Sequence, residues 1–308
     1  MGNFTWLAPL VLWSATMDLK PGDQTRTLEV DARPRSYTVH VPPKYAREQP
    51  IPVVLVFHGG GSNVEQMIDY CGMNELADRE SFLVVYPAGT GRVEGILTFN
   101  GGNCCGYAQR QNVDDVKFVA ALLDDLATVA RLDERRIYAT GMSNGAILSY
   151  RLADELSHRF AAIAPVAGPM GAETCAPRQP VSVIHFHGAD DRFAPFAGGR
   201  GARSLSQTDF FSVDHSIGQW IRANGCPATP HTKELLANQV DDDMHATRTI
   251  YGPGKDGAEV VLITIHGGGH TWPGRTSKFK FLGPSTLDIS ANELMWEFFQ
   301  RHPKPAAR

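Results

Sequence analysis

A serine lies at the centre of Gly141-Met142-Ser143-Asn144-Gly145, between the apolar run RIYAT and the helical pattern AILSYRLADEL. Small residues on both sides of a serine at a strand-to-helix junction are typical of a nucleophile elbow, a tight turn that lifts the hydroxyl out of the sheet. The pentapeptide alone is a weak signal, but the strand before it and the helix after it make it specific. We therefore predict that Ser143 is a nucleophile; the alternative is a glycine-flanked turn with an incidental serine.

A serine hydroxyl attacks an ester only when a base takes its proton, so a histidine and an acid must accompany Ser143. In α/β-hydrolases they follow in the order Ser, Asp or Glu, His, each in a loop after a strand. The segment VSVIHFHGADDRFAPF offers Asp190 and Asp191, and the later segment IHGGGHTWPG offers His266 and His270. The chain order fits, but these residues alone do not decide between the two aspartates.

The run HGGG occurs at His58–Gly61 and again just before His270. A tetrahedral intermediate needs two preorganised N–H donors for its oxyanion. The backbone N–H of Asn144, which follows the nucleophile, is one candidate, and Gly60 or, as second choice, Gly61 is the other, because glycine lets the backbone approach a substrate closely. We expect His58 to be a packed residue at a strand end.

Apolar, β-branched runs bounded by glycine or proline predict strands that are covered on both faces. They lie at Ile51–Phe57, Phe82–Tyr86, Arg136–Thr140, Ala161–Val166, Val181–Phe186 and Val260–Ile265. Helical patterns alternate with them, so we predict a doubly wound, mostly parallel α/β sheet. Thr27–Val30 and Ser36–Val41 predict an antiparallel hairpin on its N-terminal edge.

Four helices have clear end signals. One follows Asp114 or Asp115, either of which is placed to cap it, and one begins inside the Ser143 motif. Ser212 to Asn224 predicts a third, closed by Gly225, and a capping box at Ser290-Ala-Asn-Glu293 opens the last.

The composition favours a small or neutral ligand. The 29 Lys and Arg against 33 Asp and Glu give a net charge of −4 with no long run of one sign, which does not suit a nucleic-acid or anionic-membrane binder. We predict one catalytic domain over residues 17–308 and no stable membrane insertion. Residues 1–16 resemble the apolar core of an export signal without its basic start. They are either a truncated signal or an ordered N-terminal segment.

Five cysteines leave at least one unpaired: Cys71, Cys104, Cys105, Cys175 and Cys226. We expect structural disulfides between distant cysteines, because a bridge between the adjacent Cys104 and Cys105 would close a strained ring. No cysteine spacing suggests zinc. His185 and His187 share one face of a strand without an apparent third ligand, and Asp241-Asp-Asp243 is most simply a solvated loop, so we predict no metal and no cofactor.

Taken together, these motifs resemble the secreted polyhydroxybutyrate depolymerase type of esterases, close to feruloyl and acetylxylan esterases. The resemblance runs from about Leu28 to the final helix through HGGGSN, NGGNCCGYAQRQNVDDVKF, RIYATGMSNGA, FAAIAPVAG, HGADDRFAPFAGG and GGGHTWPG. It implies that Asp191 is the acid and His270 the base, with His266 structural.

The motif NGGNCCGYAQRQNVDDVKF and the phenylalanine before it supply candidate walls for the cleft. We expect Phe99, Asn100 and Tyr107 to contact substrate, with Phe99 standing where many relatives have tryptophan. Trp272, two residues past His270, is a further candidate wall, or a buried anchor of its loop.

The sequence thus predicts an exported or periplasmic serine esterase that needs no cofactor. Its expected substrates are short polyesters such as hydroxybutyrate oligomers, or hydroxycinnamoyl and acetyl esters. The alternatives are an acyltransferase that uses the same triad and a non-catalytic binding protein on the same fold.

Overall fold

The computed structural model describes residues 18–204, 206–236, 243–277 and 279–306. The signal-like residues 1–16, and Asp241 and Asp242 of the aspartate run, lie outside these ranges. In the described part no helix combines the length and the apolar character that a membrane crossing requires.

The described residues form twelve strands and seven α-helices. The strands are β1 (Gly22–Val30), β2 (Arg33–Val41), β3 (Ile51–Phe57), β4 (Leu83–Pro87), β5 (Thr90–Val93), β6 (Ile96–Thr98), β7 (Leu132–Met142), β8 (Ala162–Val166), β9 (Ser182–Gly188), β10 (Thr232–Leu235), β11 (His245–Tyr251) and β12 (Val260–His266). The helices are α1 (Val64–Cys71), α2 (Met73–Glu80), α3 (Gly106–Arg110), α4 (Asp115–Val129), α5 (Asn144–Glu155), α6 (Val213–Asn224) and α7 (Ala291–Arg301).

Ten of these strands form one sheet in the order β1-β2-β4-β3-β7-β8-β9-β12-β11-β10, while β5 and β6 form a separate hairpin. The six strands from β4 to β12 in this order are parallel, and both edges are antiparallel. The predicted α/β sheet and its N-terminal hairpin are confirmed. The antiparallel β10–β11 edge was not predicted, because these strands are short and polar rather than continuous apolar runs.

The sheet is buried on both faces, which explains the apolar runs. Val53, Leu55 and Phe57 of β3 point into one core with α4, α5 and α6, whereas Val54 and Val56 point into a second core with α1, α2 and α7. Because side chains alternate along a strand, a strand between two helical layers must be apolar at every position.

The predicted helix ends agree with the structure. Asp114 caps α4 by accepting the Lys117 N–H, Ser212 caps α6, Gly225 closes it in the left-handed region, and Ser290 caps α7. Asp115 does not cap α4; its side chain is fully buried and pairs with Arg35.

The cysteines contradict the expected long-range bridges. The adjacent Cys104 and Cys105 are paired with each other, whereas Cys71, Cys175 and Cys226 are free.

Candidate active site

The predicted catalytic residues meet at one edge of the sheet. Ser143 follows β7, the acid loop follows β9, and the His270 loop follows β12, with the first HGGG run after β3. Since these strands are parallel, their carboxyl ends share one edge, where ligands of open α/β sheets bind.

Ser143 has the backbone of a nucleophile elbow, with φ 56° and ψ −114°. The turn demands glycine on its C-terminal side: a Cβ on Gly145 would collide with the carbonyl of Phe57 in β3. The Ser143 N–H donates to Val166 O of β8 at 2.8 Å, which anchors the turn. A residue held in this sparsely populated region is the kind of outlier found at functional sites.

Asp191, not Asp190, is bonded to the histidine. Its Oδ2 lies 2.7 Å from His270 Nδ1, and its Oδ1 accepts the backbone N–H groups of Phe193 and Ala194 at 2.7 and 2.9 Å. Burial opposes ionisation, yet the pKa of Asp191 is held below its usual value because His270 and the Ala194 N–H favour the carboxylate. The acid is therefore ionised and both its oxygens are fixed.

A buried chain of hydrogen bonds lies behind this acid. Tyr150 Oη is 2.9 Å from His185 Nδ1, His185 Nε2 is 3.0 Å from His187 Nδ1, and His187 Nε2 is 2.8 Å from Ala194 O. Burial lowers the pKa of both histidines, so each is neutral. Because a carbonyl only accepts, His187 Nε2 carries the proton, which makes His185 Nε2 and Tyr150 the other two donors.

Sequence reasoning considered His185 and His187 only as metal ligands. All four of their ring nitrogens are bonded within the protein, so none offers a lone pair to a metal. Within the described residues no cluster of three or more His, Cys, Asp or Glu side chains is arranged to hold a metal ion.

The first HGGG run lies against the elbow. A Cβ on Gly60 would contact the Asn144 side chain at 3.5 Å, and one on Gly59 would contact Ser143 Cβ at 3.7 Å. The Gly61 N–H donates to Leu97 O at 2.8 Å, so it is not free for an oxyanion. That bond and the Ser62–Leu97 bridge fasten the run to the β5–β6 hairpin.

Asn144 opens α5, where the first N–H groups of a helix have no intrahelical partner. Its side-chain amide bonds to the backbone of Phe99: Oδ1 accepts the Phe99 N–H at 2.7 Å and Nδ2 donates to Phe99 O at 2.9 Å. The amide therefore fixes to the elbow the chain that leads into the NGG segment, Asn100–Gly102.

Three of the four predicted substrate walls are buried, and Trp272 is the buried anchor of its loop that was the alternative to a wall. Phe99 is 0% exposed and packs on His58, and Trp272 is 0% exposed with its Nε1–H bonded to Asn292. Asn100 is buried, and its amide bonds to Val113 O and the Gly102 N–H. Only Tyr107 is partly exposed, with the Arg92 guanidinium 6.0 Å from its ring centre.

Sequence reasoning missed Phe193, whose partly exposed ring stacks on His270 with the ring centres 5.0 Å apart. The only signal was its place two residues after the acid, and that spacing does not say which way a ring turns.

His266 lies apart from the acid. It stacks on His245 across the β11–β12 pair, and its Nε2 lies 3.1 Å from Thr247 Oγ1. The two histidines that bracket the second glycine run therefore have different surroundings.

The sheet order and the elbow define an α/β-hydrolase. Residues 35–205 match the family model described as Esterase PHB depolymerase, and the chain belongs to this family. It is a carboxylic ester hydrolase.

Two curated relatives and one solved structure illustrate the likeness. The chain is 30% identical to "Putative esterase NocK" of Nocardia uniformis subsp. tsuyamanensis, over 89% of this chain and 81% of that protein. It is 26% identical to feruloyl esterase D of Neurospora crassa, over 90% and 86% of the two chains. The structure of acetyl xylan esterase from Aspergillus awamori superposes with a TM-score of 0.60 at 15% identity, over 90% and 99%.

Proposed function

We propose that this chain hydrolyses carboxylic esters through an acyl-enzyme formed on Ser143. The observation that carries the proposal is the 2.7 Å bond between His270 Nδ1 and an ionised Asp191 at the sheet edge that holds the elbow. Asp191 fixes the imidazole with its proton on Nδ1, so Nε2 takes the serine proton and passes it to the leaving alcohol. Water then attacks the acyl-enzyme by the same route.

The N–H groups of Gly60 and Asn144 stabilise the oxyanion. Both belong to backbone that is fixed before substrate arrives, the first by the β5–β6 hairpin and the second by α5. Donors that need no reorganisation contribute most to such a transition state; loss of one typically costs about 2.7–4 kcal/mol.

The proposed substrates are short polyesters, such as hydroxybutyrate oligomers, and hydroxycinnamoyl or acetyl esters. The family description and the names of the relatives support these classes. An exported or periplasmic location, as inferred from residues 1–16, belongs to the same proposal.

The test compares Ser143→Ala, His270→Ala and the matched control His266→Ala on p-nitrophenyl acetate. We expect the first two to lose about 10⁶-fold in kcat, whereas His266→Ala keeps its activity per folded molecule. Mass spectrometry of the wild type with a slow ester should show an acyl adduct on Ser143. Unchanged turnover in Ser143→Ala, or equal losses in both histidine variants, would refute the assignment.

A further inference from the structure

Three phenylalanine rings form a row that leads away from His270. Ring centres are 5.0 Å apart for Phe193 and His270, 6.1 Å for Phe193 and Phe281, and 5.6 Å for Phe281 and Phe279. These separations are typical of aromatic pairs in contact. The row is thus a continuous apolar strip that begins on the proposed base.

The outer two rings do not serve the core. Phe281 is 56% exposed and Phe279 is 48% exposed, although burial of a phenyl ring away from water is favourable. Adjoining exposed apolar side chains, unlike single ones, mark binding surfaces.

The row is fixed relative to the catalytic loop. Arg203 donates to Phe281 O at 2.6 Å, the His270 N–H donates to Leu282 O at 2.7 Å, and the Gly269 N–H donates to Pro284 O at 2.9 Å. The segment that carries the exposed rings is therefore bonded directly to the base and its neighbour, so a ligand on the rings would be positioned relative to His270.

The far end of the row opens on a cavity whose walls include polar side chains. Phe279 lines a cavity of about 450 Å³ together with Gln66, Asp69, Tyr70 and Arg275. Its walls connect to the His270 loop, since the Trp272 N–H donates to Tyr70 Oη at 3.0 Å and Arg275 Nε donates to Tyr70 O at 3.2 Å. This volume falls within the range of small-molecule sites, and the walls carry hydrogen-bonding groups of both kinds.

We propose that the row and the cavity form a distal subsite for the non-reacting part of extended esters. An apolar segment of the ester lies along Phe193, Phe281 and Phe279, and in a ligand that extends past these rings a hydroxyl or carboxyl group bonds in the cavity. The inference rests on the proposed function, because it takes the ester bond to lie at His270. Both an aryl ester with a ring hydroxyl and a hydroxyacid oligomer have this chemistry.

The kinetic test uses Phe281→Ala and Phe279→Ala, with Leu287→Ala as the matched control. Leu287 is 53% exposed and lies in the same segment but outside the ring row. We measure kcat/KM for methyl ferulate, a hydroxybutyrate trimer and p-nitrophenyl acetate. In both phenylalanine variants the ratio of a long ester to acetate should fall about 3- to 10-fold, mainly through KM, and it should not change in Leu287→Ala. The two long substrates show which source fits the subsite.

A binding test separates this proposal from the proposed function. Titration of Ser143→Ala with the same long esters measures binding without turnover. In the double variant that also carries Phe281→Ala, this binding should be weaker. If Ser143→Ala binds the long esters in this way but the wild type cleaves no ester, the subsite is supported and the proposed function is refuted. A wild type that cleaves p-nitrophenyl acetate while Ser143→Ala binds neither long ester would refute the subsite alone.

Unchanged ratios in the phenylalanine variants would also overturn the proposal. If those variants instead change the oligomeric state in sedimentation experiments, the rings are a contact between copies of the chain and not a subsite.

Discussion

The first glycine run depends on a histidine that must stay neutral. His58 Nδ1 lies 2.8 Å from Gly59 O and therefore donates, while Nε2 accepts the Gly89 N–H at 3.0 Å. If Nε2 were protonated, its proton would point at the Gly89 N–H and this hydrogen bond would be lost. Burial lowers the pKa of His58 to about 4. The residue that was expected only to pack thus orients the carbonyl next to Gly60.

We predict that acid destabilises the fold in part through His58. Between its unfolded pKa of about 6.5 and its folded pKa of about 4, the unfolded chain holds a proton that the folded chain lacks. Its contribution to stability is therefore complete above pH 6.5 and is lost as the pH falls towards 4, by at most about 1.4 kcal/mol per pH unit. Burial of His185 and His187 acts in the same direction.

Urea denaturation at a series of pH values tests this prediction. The slope of unfolding free energy against pH should be shallower in His58→Gln than in the wild type between pH 6.5 and 4.5. The comparison uses slopes, so it holds even when the variant is less stable overall. Parallel slopes would contradict the prediction.

At the scale of elements, the Tyr150–His185–His187 chain joins α5, β9 and the acid loop. It ends on Ala194 O, and the Ala194 N–H donates to Asp191. His187 Nε2 also lies 3.5 Å from Asp191 Oδ2. The backbone of Ala194 is thus held at its carbonyl by the hydrogen-bond chain and at its N–H by Asp191.

We predict that Tyr150→Phe lowers stability by about 1–2 kcal/mol and also lowers kcat several-fold. The substitution removes the donor to His185 Nδ1 and leaves that nitrogen unsatisfied. Both imidazoles are then free to exchange tautomers. In the other tautomer a lone pair of His187 Nε2 faces Ala194 O. Tyr138→Phe is the matched control, because its buried hydroxyl donates to Phe299 O at 2.8 Å in the β7–α7 contact. It should cost similar stability without loss of kcat. Equal kcat in the two variants would show that the chain is only structural.

The elements that sequence predicted best are those specified by neighbouring residues. Ile51–Phe57 is a strand at its predicted bounds, and Ser212, Gly225 and Ser290 end or begin helices as predicted. The chain order placed an aspartate loop and a histidine loop at one sheet edge, and the family resemblance selected Asp191 and His270, which are hydrogen-bonded to each other.

The sequence could not show contacts between residues that are distant in the chain. Trp272 is buried because Asn292 accepts its indole N–H, and Phe99 because Asn144 bonds both its backbone groups. A sequence shows that these residues are aromatic, but not which partner 20 or 45 positions away turns them inward. The Phe193–Phe281 row was missed for the same reason.

At the scale of the whole molecule, a buried ion pair ties the antiparallel edge to the site. Arg35 of β2 lies 2.7 Å from Asp115 Oδ1, and the pair is 4% and 0% exposed. Asp115 Oδ2 accepts the Asn100 N–H at 2.7 Å, and the guanidinium stacks on Phe118 at 3.9 Å. Burial raises the pKa of Asp115 in spite of Arg35, so desolvation outweighs the attraction. The pair therefore specifies how β2, the NGG segment and α4 fit together more than it stabilises them.

We predict that breaking this pair is costly but replacing it is not. Arg35→Met or Asp115→Leu alone should lower the unfolding free energy by about 3–5 kcal/mol, because each leaves a buried charge without its partner. The double variant should recover much of that loss, since it removes both desolvation penalties at once; the Asn100 N–H that loses its acceptor limits the recovery.

A second cycle on the more exposed Arg159–Asp124 pair, at 2.7 Å, should show little coupling and serves as the control. Urea denaturation of the seven proteins, the wild type and three variants for each pair, measures both cycles. A double variant of Arg35 and Asp115 that is no more stable than the single variants would contradict the prediction.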